Sequence, residues 1–233
     1  MADDLSAVAH FLYEAGPLKN ARRTGWWTAG IRDPKSVAEH SCRTSLIASV
    51  IARLEGADPA RAALLVVWHD TQETRPGDVN YLGKKYTGSA SADAQHVTAD
   101  QTADMPDILA SALREVVAEY EDKQSPEAAC TRDADKLEYM LQGLECKAGN
   151  TRLGIQGPGL SERPTMDRQQ PAKADHRHGK RLAEALLAQD PLEWLRTTLG
   201  ENQASQTRPT RKRTELSSSS GQAVQAGRGL MEN

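Results

Sequence analysis

A chain of 233 residues with 26% charged side chains, 38% apolar ones and a formal net charge of −3 has room for one sizeable domain with a real core, and for a tail besides. That balance argues against a bulk nucleic-acid binder and against a highly acidic, solvating chain. No apolar run approaches the roughly 18 residues of a membrane span, and "MADDLSAVAH" lacks the basic-then-apolar profile of a signal peptide, so a cytoplasmic protein with no membrane contact is expected.

In chain order the pattern is helical almost throughout. "DDLSAVAHFLYEA" opens with acidic residues and spaces Leu5, Val8, Phe11 and Leu12 on one face. "GPLKNARRTGWWTAGIRDPK" breaks that helix. Ser36, with Glu39 three residues on, makes a capping box that starts the next one. A third helix runs from about Pro59, a good first-turn residue, through "ARAALLVVWHDTQE", and "TRPGDVNYLGKKY" follows as a loop. Helices are expected over "PDILASALREVVAEYEDK", over "SPEAACTRDADKLEYMLQGLECKAG" and over "KADHRHGKRLAEALLAQDPLEWLRTTL". No useful β-alternation interrupts them, so the fold class is all-α.

After about residue 199 the chain turns rich in Ser, Gln and Gly, and cannot bury enough apolar surface to offset the entropy of ordering it. Residues 1–199 are expected to form the domain and 200–233 a disordered tail. The tail's basic cluster, Arg208, Arg211, Lys212 and Arg213, reads as a solvated charge run. Cys42, Cys130 and Cys146 are odd in number, form no CxxC pair and lie in helical patterns, which makes them reduced packing residues. His176 and His178 have a spacing that puts them on different faces of a helix, against a joint metal role.

His40 raises the functional question. At 100° per residue, Ile47 and Ile51 fall within about 20° of it and Leu54 within about 40°, so the imidazole points with the apolar stripe. Taken alone, it is equally a hydrogen-bonded core residue. The next helix sharpens the choice: the apolar run "AALLVVW" ends in His69-Asp70, with Glu73 close behind. Imidazole and carboxylate are ligands for a borderline divalent ion, and a buried Asp70 is costly without a compensating cation.

His40, then His69-Asp70, then an Asp in "DADKLEYMLQ" resembles the H…HD…D signature of the HD-domain phosphohydrolases. "RTGWWTAGIRDPKSVAEHS", "WHDTQETRPGDV" and "DADKLEYMLQGLE" are similar, in order and spacing, to the HD-domain 5′-nucleotidases, over about residues 5–199. The resemblance implies an all-helical bundle and one divalent metal ion of the cobalt, manganese, iron or zinc class, held by His40, His69, Asp70 and Asp135. It makes Glu73 and Asp78 the carboxylates that orient or deprotonate the attacking water and assist the leaving oxygen, and puts Arg23 and Trp26 at the phosphate and sugar. Arg75 and Lys136 are weaker phosphate candidates. In one departure from the family pattern Gly25, not an arginine, precedes Trp26, which bears on sugar preference.

Helical angles around Leu137, Met140 and Leu144 favour Asp133 for the apolar stripe and group Asp135 with Glu138, Tyr139 and Gln142; the motif selects Asp135 nonetheless, with Asp133 as the alternative. The function implied is hydrolysis of (deoxy)ribonucleoside 5′-monophosphates by a homodimer with a nucleotide as its partner and no stable nucleic-acid partner. Two other readings stay open: an HD phosphohydrolase of modified nucleotides, alarmones or nucleoside polyphosphates, and a non-catalytic nucleotide-binding regulator.

Overall fold

The capping box fixes where the central helix begins: Ser36 Oγ accepts from the Glu39 amide at 3.2 Å, and Glu39 Oε2 accepts from the Ser36 amide at 2.6 Å. In the computed structural model, which describes residues 5–87, 93–152 and 177–198, this helix is Val37–Glu55, ended by Gly56 in the left-handed region at φ 79°. The ten helices of the described residues are α1 (Ser6–Glu14), α2 (Gly25–Thr28), α3 (Val37–Glu55), α4 (Pro59–His69), α5 (Tyr81–Thr87), α6 (Ala94–Gln101), α7 (Asp107–Asp122), α8 (Pro126–Arg152), α9 (Arg177–Leu187) and α10 (Glu193–Thr198). Short 3₁₀ turns cover Gly16–Lys19 and Thr71–Thr74. Among the described residues extended pairing is limited to one isolated bridge, Arg22 with Ser36, and no helix is long and apolar enough to cross a membrane.

The chain divides after Leu192 into two compact units; α1–α9 lie in the first, and α10, with its Arg196–Glu193 ion pair, in the second. The expected tail, 200–233, lies outside the described residues, as does His176.

The core of the first unit is built on small side chains. Ala48, Ile51 and Ala52 of α3 meet Ala62 and Val66 of α4, Cys130, Ala134 and Leu137 of α8, and Ala183 of α9. Alanines at these positions let helix axes approach closely, with Ile51, Val66 and Leu137 filling the grooves between. Asp58 opens α4 by accepting from the amides of Ala60 and Arg61, and Ser125 opens α8 by accepting from the Ala128 amide. Phe11, Met105 and Ala110 form a second cluster in which Phe11 stacks on Trp68 with ring centroids 5.6 Å apart.

Several sequence expectations need correction. Leu5 and Leu12 are exposed, and α1 buries Phe11, because so short a helix meets the body along a narrow line. Leu54 is likewise half-exposed at the outer end of α3. The expected loop "TRPGDVNYLGKKY" contains α5, and α6, which the sequence reading omitted, is capped by Asp93. Within "GPLKNARRTGWWTAGIRDPK" the chain still turns helically at α2. The last expected helix is two, α9 and α10, parted near Asp190-Pro191. All three cysteines are free: Cys130 is buried as a packing residue would be, Cys146 is half-buried, and Cys42 is exposed.

Candidate metal centre

Three helices converge on one point. His40 stands one turn into α3, His69 is the last residue of α4 with Asp70 at its C-cap, and Asp135 lies on α8. Ligand atoms of His40, His69 and Asp135 all lie within 4.8 Å of one another. His40 Nε2 is 3.0 Å from Asp135 Oδ1 and 3.8 Å from Asp70 Oδ2, and His69 Nε2 is 3.0 Å from Asp70 Oδ2. The alternative carboxylate, Asp133, is fully buried elsewhere on α8, 3.5 Å from Lys136. Periodicity favoured Asp133 because α8 is buried on two faces: Ala134 and Leu137 pack in the core while Glu138, with no exposed surface, faces the charged side.

The far nitrogen of each imidazole settles what the near one offers. His40 Nδ1 lies 2.7 Å from Glu138 Oε2, and His69 Nδ1 lies 2.5 Å from the Val66 carbonyl oxygen. A carboxylate and a carbonyl only accept, so each Nδ1 carries the hydrogen and each Nε2 can present a lone pair. His40 Nε2 is buried with no hydrogen-bond partner while facing a carboxylate oxygen. Two imidazole nitrogens and two carboxylates around one point form a nitrogen–oxygen set that suits a borderline divalent ion, which would take the place of a proton on each Nε2. The residues present fit the metal that the motif implies.

Charge compensation is visible in the protein itself. Burial disfavours a charged His69, but Asp70, and Asp135 after it, raise its pKa to about 9. Burial would also raise Asp70; His69 and Arg23 overcome this and hold it well below the usual carboxylate range, and His40 does most to bring Asp135 down to about 2. Arg23 Nη1 lies 3.1 Å from Asp70, 3.0 Å from Asp78 and 3.8 Å from Glu73, while Nη2 is 4.0 Å from Asp135. Its place is set by backbone pairing beside α3, with the Arg23 amide donating to the Lys35 carbonyl and the Val37 amide to the Ala21 carbonyl.

The remaining candidates divide. Glu73, in the 3₁₀ turn after Asp70, is buried, and its Oε2 has no hydrogen-bond partner. Burial first, then the neighbouring charges of Asp70 and Asp78, push its pKa up to about 8. Asp78 is engaged on both oxygens: Oδ2 accepts from the Thr24 amide at 2.6 Å and the Thr24 hydroxyl at 2.8 Å, while Oδ1 meets Arg23. Trp26 is 3% exposed, its ring 4.8 Å from that of Tyr139, so it offers a substrate an edge at most. Arg75 is tied to Glu14 at 2.8 Å, away from the centre. His178 pairs with Glu55. Sequence reasoning missed the parts of Glu138, Lys35 and Thr24; for Glu138 the signal was its place one turn after Asp135.

Residues 15–157 match the HD domain family. The chain belongs to that family. Within it, 142 residues are 30% identical to the 5′-deoxynucleotidase HDDC2 of Danio rerio, covering 59% of this chain and 68% of that one. The human 5′-deoxynucleotidase HDDC2 is 29% identical over 60% of this chain and 68% of its own length, and a 5′-deoxynucleotidase of Erwinia tasmaniensis 28% over 62% and 77%. Among solved structures, the fold resembles a predicted metal-dependent phosphohydrolase from Magnetospirillum magnetotacticum at TM-score 0.57 and 22% identity, over 79% of this chain and 91% of that one. The HD-domain helices α3, α4 and α8 are the ones that carry His40, His69, Asp70 and Asp135.

Proposed function

We propose that this chain is a metal-dependent phosphomonoesterase that hydrolyses (deoxy)ribonucleoside 5′-monophosphates to nucleoside and phosphate. The observation that carries the reading is the pair of imidazoles whose Nε2 atoms face Asp70 and Asp135, in a chain 30% identical to a 5′-deoxynucleotidase. One divalent ion held by His40, His69, Asp70 and Asp135 would supply charge for the phosphoryl oxygens and acidify the attacking water. Arg23, already drawn among four carboxylates, is the guanidinium at hand for the phosphate, and Asp78 with Thr24 aims it. Glu73, buried beside Asp70 and Asp78, would in its ionised form orient the attacking water or accept its proton as the oxygen–phosphorus bond forms. The leaving 5′ oxygen takes up a proton from that carboxyl or from solvent when its bond to phosphorus breaks. Trp26 walls the sugar side through its edge.

Arg75 is committed to Glu14, and Lys136 lies 3.5 Å from Asp133. Neither is spare for a second phosphate, which supports monoester over polyphosphate or alarmone. The reading includes a cytoplasmic homodimer whose catalytic unit is residues 1–199 and whose residues 200–233 are a tail. Exposed Leu46 and Val50 of α3 and Leu64 and Val67 of α4 offer the second copy an apolar surface.

The test is phosphate release from ribo- and deoxyribonucleoside mono- and triphosphates with several divalent ions and a chelator. Chelator-sensitive release from 5′-monophosphates alone is expected. Release from triphosphates alone would contradict the substrate class, and no release at all, with metal bound, would leave the binding reading.

A further inference from the structure

Among the described residues a thoroughly paired buried charge belongs to a residue outside the candidate ligand set. Glu138, on α8, has no exposed surface. Its Oε2 accepts from His40 Nδ1 at 2.7 Å and is ion-paired with Lys35; its Oε1 accepts from Arg43 Nε at 3.1 Å and Nη2 at 2.9 Å. Arg43 is steadied in turn by Gln142 at 3.2 Å and Glu145 at 2.6 Å. A lone buried carboxylate would cost on the order of several kcal/mol in lost hydration, yet here an ammonium, a guanidinium and an imidazole meet both oxygens.

We infer that Glu138 is a positioning residue, which fixes His40 as the Nδ1–H tautomer and turns its Nε2 toward the metal centre, with Lys35 and Arg43 holding the carboxylate in place. Lys35 has a second part. Its carbonyl pairs with the Arg23 amide and its Nζ lies 5.7 Å from the Trp26 ring, so one residue joins the phosphate arm to the metal-ligand support. A ligating imidazole gains both orientation and basicity from such a carboxylate, and loss of such a partner lowers metal affinity by about 10- to 100-fold.

The inference rests on the metal-centre reading above, so the test has an arm that does not. Nitrogen-15 imidazole spectra of the metal-free protein are compared for wild type and Glu138→Ala, and manganese affinity is measured for both by chelator competition. The wild type is expected to show the His40 Nδ1–H in a strong hydrogen bond to a carboxylate. Glu138→Ala is expected to lose that hydrogen-bonded Nδ1–H and to bind manganese about 10- to 100-fold more weakly. Should Glu138→Ala not fold, Glu138→Gln keeps an acceptor for one partner while setting an NH₂ against another, and a smaller, roughly tenfold loss of affinity is expected. An unchanged Nδ1–H signal and unchanged manganese affinity, with only a lowered Tm, would overturn the inference. If the wild type binds no divalent ion, the proposed function fails, and the imidazole comparison still decides what Glu138 does.

Discussion

The two histidines reach the same end by different means. His69 is held from within its own helix, by a carbonyl three residues back that no side-chain substitution removes. His40 is held across 98 residues of chain by a carboxylate that itself depends on Lys35 and Arg43. The local device is cheap and robust; the long-range one is open to single substitutions, and it ties the ligand to the fold of α8 and to the segment that carries Arg23. Sites assembled from distant helices gain rigidity that way, at the cost of more positions where one change is felt.

The largest effect is expected at the carboxylate that faces both rings. Asp70→Ala removes the oxygen 3.0 Å from His69 and 3.8 Å from His40, and should abolish stoichiometric metal binding and lower kcat/KM by about 10³-fold or more, read by metal analysis and phosphate release. Glu73→Gln lies beyond both imidazoles and should keep the metal while lowering kcat by about 10²- to 10⁴-fold. Retention of nearly full turnover would remove Glu73 from proton transfer.

A pH series sharpens the comparison on the His69 side. Without a cation its pKa is raised to about 9, so metal binding must displace a proton below that pH. Apparent metal affinity should therefore climb as pH rises toward about 9, by up to about tenfold per unit where this one proton dominates, and level off above it. A flat profile from neutral to alkaline pH would contradict that charge assignment. The smallest effect on the site should come from Val66→Ala. It cuts a buried side chain but leaves the backbone carbonyl, so Tm should fall with a stability loss of about 1–3 kcal/mol while metal affinity stays as in wild type.

Much of this was legible in the sequence because it is local. The Ser36–Glu39 box, Pro59 at the head of α4 and the abrupt end of an apolar run at His69-Asp70 are short-range signals, and each stands where the pattern put it. What escaped depends on partners far away in the chain. α5 and α6 have little apolar periodicity of their own, and each is opened by a side chain, Asn80 or Asp93, that accepts from amides of the first turn. Asp135 sits against the periodicity of α8 because that helix serves the apolar core with Ala134 and Leu137 and the candidate metal centre with Asp135, while Glu138 meets His40. Nothing within one window of sequence says that Lys35, Arg43 and His40 share one carboxylate. Asp78 and Trp26, both assigned by motif, are engaged with Thr24 and Tyr139, contacts that no single window of sequence announces.

The most direct test of the account is to strip the protein with a chelator, restore manganese in known increments, and follow phosphate release from a deoxyribonucleoside 5′-monophosphate. The account predicts no release from the stripped protein and a linear recovery that reaches its plateau at one metal ion per chain. Release that persists in the stripped protein, or that stays absent after one ion per chain has bound, would contradict it.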